Sequence, residues 1–120
     1  MSDEKVSHHF SRSEFACRCG CGFDDFHPAL LYLLEAVREH FGKPVVINSA
    51  CRCPAHNRAV GGAENSRHLH GEAADITVSK ISPALVADYC EVLVGERGGL
   101  GRYSSFTHVD VRGYRTRWSA

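Results

Sequence analysis

The sequence has no excess of charge of either sign and no long apolar run. Its 14 basic and 14 acidic residues give a formal net charge of +0, so no global field attracts nucleic acid or an anionic membrane. No apolar run approaches the roughly 20 residues that a membrane-spanning helix needs. The first ten residues are polar and contain no apolar signal-peptide core. We therefore expect no nucleic acid partner and no membrane insertion.

What the sequence does have is the composition of one globular domain. Its 120 residues are 43% hydrophobic and 23% charged, which is enough for one hydrophobic core but not for two. Internal repeats, linkers and low-complexity segments are lacking. We expect a flexible N-terminal tail over residues 1–10, a single domain over residues 11–120, and a monomer.

Three helices are predicted, and a proline opens each of them, at Pro28, Pro54 and Pro83. Strands are predicted at three places, residues 45–48, 73–78 and 106–112. The C-terminal stretch 114–120 is a candidate for a short edge strand, and the glycine-rich stretch 95–103 is expected to be a turn. Short connections and this order of elements predict an α+β fold, in which a small, mostly antiparallel sheet packs against about three helices.

The six cysteines are clustered, at positions 17, 19, 21, 51, 53 and 90. A secreted disulfide framework would space them more evenly. Three interpretations stay open for the first five: disulfides between the clusters, a small structural zinc site, or reduced buried thiols. The C-x-C spacing is tighter than the usual C-x₂-C of zinc knuckles, which argues against the metal. Cys90 lies in a helical apolar stripe and is expected in the core.

Ionisable residues gather on one face of the strand predicted from "FTHVDVR". Alternation places Phe106, His108, Asp110 and Arg112 together, with the apolar face left for the core. This polar face is either a solvated surface with an Asp–Arg ion pair or part of a site. The chain has eight histidines, and histidine is the commonest metal ligand, so a metal site has to be considered.

The stretch "NSRHLHGEAADITV" adds two more candidate ligands. His68 and Asp75 are separated by an odd number of residues, so a regular strand would point them to opposite faces. They can converge only if the chain bends, and Gly71 permits a bend. With His108 they would make two imidazoles and one carboxylate, which leaves a fourth tetrahedral position for water, as a catalytic zinc site requires.

The order of these residues resembles a known family. "SRHLHGEAAD" fits S-x-H-x-x-G-x-A-x-D, and "HVD" follows further on. This pattern is similar to the zinc D-alanyl-D-alanine carboxypeptidase and dipeptidase family, peptidoglycan-cleaving metallopeptidases that share a fold with the hedgehog signalling domain. Upstream, "INSACRCPAHNRAVGGAENSRH" resembles the strand, arginine-bearing loop and G-G turn of that family. The resemblance covers roughly residues 27–113 and implies a hedgehog/DD-peptidase-like fold.

The resemblance implies a role for each matching residue. His68, Asp75 and His108 would bind Zn²⁺. Arg52 would bind the carboxylate of the substrate or polarise its carbonyl oxygen, because a guanidinium offers fixed, bidentate donors. Ser66 would lie beside the metal and donate a hydrogen bond to substrate.

One departure from the family concerns the general base. Active members usually carry Glu or Asp three residues before the last zinc histidine, and Ser105 stands there, which cannot accept a proton near neutral pH. Asp110 either replaces that base or orients His108 from behind. His70 and Glu72 are expected to be solvent-exposed residues without a role.

By resemblance, we expect a zinc peptidase of phage or prophage origin that hydrolyses peptides of bacterial peptidoglycan. The alternative is a zinc-bearing module without catalysis that binds wall fragments or a protein partner. A structural domain with no site ranks last, because it leaves the ordered motif unexplained. Without a signal peptide, the protein is expected in the bacterial cytoplasm, and action at the periplasm or wall would need another exit, such as a phage holin.

Overall fold

A computed structural model of the protein describes residues 4–120. Its α-helices are α1 (Pro28–Phe41), α2 (Pro54–Ala59) and α3 (Pro83–Val94), each opened by the proline that the sequence indicates. In every case the side chain before the proline accepts a hydrogen bond from a backbone N–H of the first turn. No helix of the described part is long and apolar enough to cross a membrane.

Short 3₁₀ helices cover three further segments, Arg12–Phe15, Arg67–His70 and Gly95–Arg97. In the first of them, the carboxylate of Glu14 accepts a hydrogen bond from the N–H of Ser11 at 2.7 Å, which is part of a capping box. The second lies inside the stretch that carries His68.

The described residues form a five-stranded sheet. Its strands are β1 (Val45–Ser49), β2 (Ala73–Val78), β3 (Gly99–Arg102), β4 (Thr107–Asp110) and β5 (Thr116–Ser119). They lie in the order β1-β2-β4-β3-β5, and every pair is antiparallel except β3 with β5. The predicted α+β fold, with a mostly antiparallel sheet and three helices, is confirmed.

Strand β3 corrects the prediction of a glycine-rich turn over residues 95–103. A Cβ on Gly101 would lie 2.5 Å from Cε2 of Trp118, and one on Gly99 would collide with the carboxylate of Asp110. The glycines therefore belong to a strand whose bare face admits two large neighbouring side chains. The glycine-rich composition predicts a turn, because composition does not show that distant side chains pack against these glycines.

The sheet has an apolar face and a polar face. Ala74, Ile76 and Val109 belong to the core together with the buried side chains of α1 and α3. Asp75 and His108 alternate with these residues along β2 and β4, so they lie on the opposite face. The fold thereby separates the hydrophobic core from the face that carries the ionisable residues.

The N-terminal segment differs from the flexible tail expected over residues 1–10, of which residues 1–3 lie outside the described part. Phe10 is 1% exposed and packs in the core. The hydroxyl of Ser7 and the backbone N–H of His9 both donate to the carboxylate of Glu35 on α1, the second at 2.7 Å. Residues 4–10 are therefore part of the packed domain, because one of their side chains lies in the core and two of their polar groups are bonded to α1.

We predict that Phe10→Ala lowers the free energy of unfolding by about 3–5 kcal/mol, since it leaves a cavity in the core. The matched control is Tyr32→Ala, which removes an aromatic side chain that is 82% exposed and should change stability by less than about 0.5 kcal/mol. Urea denaturation of both variants measures the difference. Equal effects would mean that the N-terminal segment contributes nothing to the core.

Candidate metal centre

Two candidate ligands meet because of strand register. Asp75 on β2 lies directly opposite His108 on β4. Their side chains share the polar face of the sheet, and Oδ1 of Asp75 is 2.9 Å from Nδ1 of His108. Both residues are buried.

The third ligand arrives through the bend that the sequence required. His68 lies in the 3₁₀ helix Arg67–His70, which ends at Gly71 with a left-handed φ of 67°. The bend brings Nε2 of His68 to 3.2 Å from Oδ1 of Asp75. Gly71 is also needed for space, because a Cβ there would lie 2.8 Å from the carbonyl oxygen of Asp25.

The donor set of this centre fits zinc. Ligand atoms of His68, Asp75 and His108 all lie within 4.8 Å of one another. Two imidazoles and one carboxylate are ligand types that zinc prefers, and three protein ligands are the number found in catalytic zinc sites. One metal ion placed between these atoms could be held by all three side chains.

The other ring nitrogen of each histidine is anchored. Nδ1 of His68 donates to the carbonyl oxygen of Ala50 at 2.5 Å, and Nε2 of His108 donates to Oδ2 of Asp110 at 2.8 Å. Because these acceptors take the ring protons, the neutral tautomers present Nε2 of His68 and Nδ1 of His108 as ligands. In the protonated rings the same two atoms instead donate hydrogen bonds to Oδ1 of Asp75.

Asp110 therefore lies behind His108, at the ring edge away from the ligand atoms. It is 0% exposed. Its oxygens accept hydrogen bonds from the N–H of Gly99 at 2.8 Å and from Nε and Nη2 of Arg112 at 2.9 and 2.7 Å. Asp110 was expected either to act as the general base or to orient His108. This position favours the orienting role, since a general base must reach the substrate side of the metal.

Hydrogen bonding outweighs burial in the protonation of these carboxylates. Burial alone would raise the pKa of Asp75, but hydrogen bonds from His108 and His68 hold it well below its usual range. Burial would likewise raise the pKa of Asp110, yet hydrogen bonds from His108 and Arg112 lower it. The pKa of His108 is raised, because its bonds to Asp110 and Asp75 overcome desolvation.

Arg52 is held beside the metal ligands. Its guanidinium donates to Oδ1 of Asn57 at 3.1 Å, to Oγ of Ser49 at 3.3 Å and to Oδ2 of Asp75 at 3.4 Å. The side chain is 13% exposed. Gly62, in the G-G turn, passes so close that any Cβ would collide with Asn57 and Arg52. The turn is therefore part of what fixes the guanidinium.

The remaining residues singled out from the sequence differ in their burial and contacts. Ser66 caps the 3₁₀ helix and accepts a hydrogen bond from the N–H of His68 at 3.3 Å. Ser105 is exposed in the turn between β3 and β4. His70 is solvent-exposed as expected. Glu72 is instead half-buried, with Oε1 3.7 Å from Nη1 of Arg67.

Sequence reasoning missed Trp118. Its ring centroid lies 4.8 Å from that of His108, its Nε1 donates to the hydroxyl of Tyr103 at 2.9 Å, and the guanidinium of Arg112 lies 5.4 Å above its ring. The signal was the Gly-x-Gly alternation of β3, since Gly101 pairs with both His108 and Trp118. Trp118 forms an aromatic wall beside the centre.

Comparison with known proteins agrees with this centre. The family model described as Peptidase M15 matches residues 8–110. A curated relative, the zinc D-Ala-D-Ala carboxypeptidase of Streptomyces albus G, is 45% identical over 47 residues. The match covers 38% of this chain and 18% of that protein, so the chain spans only a small part of the relative's length.

We predict that Asp110→Asn weakens zinc binding about 10–100-fold, because the hydrogen bond that orients His108 becomes weaker. The matched control, Asp88→Asn, removes an exposed carboxylate paired with Arg102 and should leave zinc affinity unchanged. Competition with a chromophoric chelator measures both affinities, and circular dichroism checks the fold. Equal zinc affinity in the two variants would contradict the orienting role.

Proposed function

Since the chain belongs to the Peptidase M15 family of zinc peptidases, we propose that it hydrolyses peptide bonds of bacterial cell-wall peptidoglycan. The observation that carries the proposal is the convergence of His68, Asp75 and His108 beside the guanidinium of Arg52. A buried three-ligand centre next to a fixed cationic donor suits hydrolysis of a peptide that carries an anionic group.

In this proposal His68, Asp75 and His108 hold the zinc ion. Bound there, zinc supplies Lewis acidity to a substrate carbonyl and to water. The protein's part is to orient both imidazoles, through the carbonyl of Ala50 and the carboxylate of Asp110. Burial excludes bulk water from the ligands and strengthens each electrostatic contact.

Arg52 serves as the substrate-binding cation. Its three hydrogen-bond partners leave the planar guanidinium with one orientation, so little side-chain entropy is lost when an oxygen of the substrate binds. The anionic group is either the terminal carboxylate or the oxygen of the scissile carbonyl as negative charge develops on it. Ser66 is the proposed hydrogen-bond donor at the entrance of the 3₁₀ helix.

The proposed substrate class rests on the relative, a zinc D-Ala-D-Ala carboxypeptidase. Short wall peptides that end in D-alanine present both a peptide bond and a carboxylate, which match a metal centre and a guanidinium. Action at the cell wall after release by a phage-type route, and a monomeric state, stay predictions.

A second candidate function is a zinc-bearing module that binds wall fragments without cleaving them. The observation that favours it is the position of the acidic side chains. Ser105 stands where active relatives carry the base, on an exposed turn, and Asp110 is enclosed behind His108. Under this alternative the centre and Arg52 would still recognise the carboxylate of a peptide.

We predict that the zinc-loaded protein releases D-alanine or wall peptides from purified peptidoglycan, and that His108→Ala abolishes release because it removes a ligand. Mass spectrometry of the products identifies the bond that is cut, and Asp88→Asn serves as the active control. Zinc-loaded wild type that sediments with peptidoglycan but leaves it intact would support the binding module instead.

We also predict that Arg52→Lys lowers kcat/KM about 10²-fold or more while zinc content stays unchanged, because an ammonium lacks the paired donors of a guanidinium. Arg58→Lys is the matched control, since Arg58 is exposed on α2. Steady-state kinetics with a D-Ala-D-Ala peptide provides the comparison. Equal kcat/KM in both variants would exclude Arg52 from substrate binding.

A further inference from the structure

Four cysteines gather away from the histidine centre. The Sγ atoms of Cys17, Cys19, Cys21 and Cys53 all lie within 4.8 Å of one another. Three of the four are at least partly exposed, and Cys19 and Cys21 are fully on the surface. Reduced thiols that only fill a core are buried, as Cys51 and Cys90 are. This surface cluster therefore needs another explanation.

The sulfur separations match metal coordination rather than covalent pairing. The Sγ of Cys17 is 3.4 Å from that of Cys19 and 3.8 Å from that of Cys53, and Cys19 and Cys53 are 3.6 Å apart. A disulfide would bring two sulfurs to about 2.05 Å. Zinc–sulfur bonds of about 2.3 Å in a tetrahedron place the sulfurs about 3.8 Å from one another.

The backbone is shaped to gather these sulfurs. Gly20, between Cys19 and Cys21, and Gly22, directly after Cys21, adopt positive φ values of 83° and 91°, which glycine allows without strain. The N–H of Cys17 donates to the carbonyl of Phe23 at 2.7 Å and closes the loop. The C-x-C-x-C spacing is too tight for a regular zinc knuckle, but this backbone conformation brings its three sulfurs close together.

Backbone donors already point at the sulfurs. The N–H of Cys53 lies 3.4 Å from Sγ of Cys17, and the N–H of His56 lies 3.4 Å from Sγ of Cys53. Such N–H donors stabilise thiolates around a metal. Arg18, between two of the cysteines, donates to the carbonyls of Ile47 at 2.7 Å and Glu14 at 3.0 Å, which fastens the loop to β1.

We propose that Cys17, Cys19, Cys21 and Cys53 bind a second zinc ion, with a structural role. Four cysteine ligands close the coordination sphere, unlike the three-ligand histidine centre, so this ion would not meet substrate. Zinc is favoured because a tetrahedral site with four sulfur ligands selects it among divalent cations.

The second ion would fasten the segment that orients the first. Cys53 directly follows Arg52, and three residues earlier the carbonyl of Ala50 holds Nδ1 of His68. Nearby, the N–H of Cys51 donates to the carbonyl of Phe15 at 3.1 Å. A metal at the four sulfurs therefore fixes the position of the loop from Ala50 to Arg52 relative to the N-terminal part of the domain.

The first test is metal content by mass spectrometry, after purification under reducing conditions. We expect about two zinc ions per chain in the wild type and about one in Cys19→Ser and Cys53→Ser. The matched controls Cys51→Ala and Cys90→Ala should keep two. His68→Ala should lose the other ion, so failure of the cysteine site is distinguishable from failure of the histidine centre. One zinc in the wild type that His68→Ala removes, or iron in place of zinc, would overturn the proposal.

The second test uses only the wild type, so it holds even if a cysteine variant does not fold. The native protein is treated with iodoacetamide, with and without a zinc chelator, and modified cysteines are mapped by mass spectrometry. We expect the exposed Cys19 and Cys21 to be protected until the chelator is added. Rapid alkylation without chelator, or a disulfide between cluster cysteines in freshly purified protein, would overturn the proposal.

Discussion

The antiparallel register of β2 against β4 is the constraint on which the rest of the site depends. It places Asp75 opposite His108, and the period of two then sends Ala74 and Val109 into the core. A slip by one residue would bury both ionisable groups among apolar side chains and turn the apolar ones outward. The hydrophobic effect that stabilises the sheet therefore also fixes the distance between two candidate metal ligands.

The glycines of β3 likewise determine which side chains can contact His108. Because Gly99 and Gly101 carry no side chains, Asp110 and Trp118 pack directly over the strand and meet His108 from two sides. The orientation of the His108 imidazole thus depends on glycine at both of these positions. Larger residues at these positions would push away the carboxylate and the indole before they disturbed the core.

Much of the fold and of the centre could be predicted from the sequence. Prolines marked the starts of the helices, alternation identified β2 and β4, and the odd separation of His68 and Asp75 required the bend at Gly71. Other features depend on contacts between distant segments, which periodicity does not report. These include the burial of Phe10 in the core and the place of Asp110 behind His108. The polar residues at the start of the chain gave no indication that Phe10 is buried. For Asp110 the sequence allowed two roles equally and did not decide between them.

The proximity of Cys17 and Cys53 also bears on how the domain unfolds. These sulfurs are 3.8 Å apart although the residues are 36 positions apart in the chain. The segment between them contains α1 and β1, and its two ends therefore lie side by side. A zinc ion bound at these sulfurs would keep the two ends of this segment together for as long as it stays bound. It removes extended conformations from the unfolded ensemble, and the entropy of closure grows with the logarithm of loop length. A short surface loop can thereby raise the stability of the longest helix without contacting its apolar side chains.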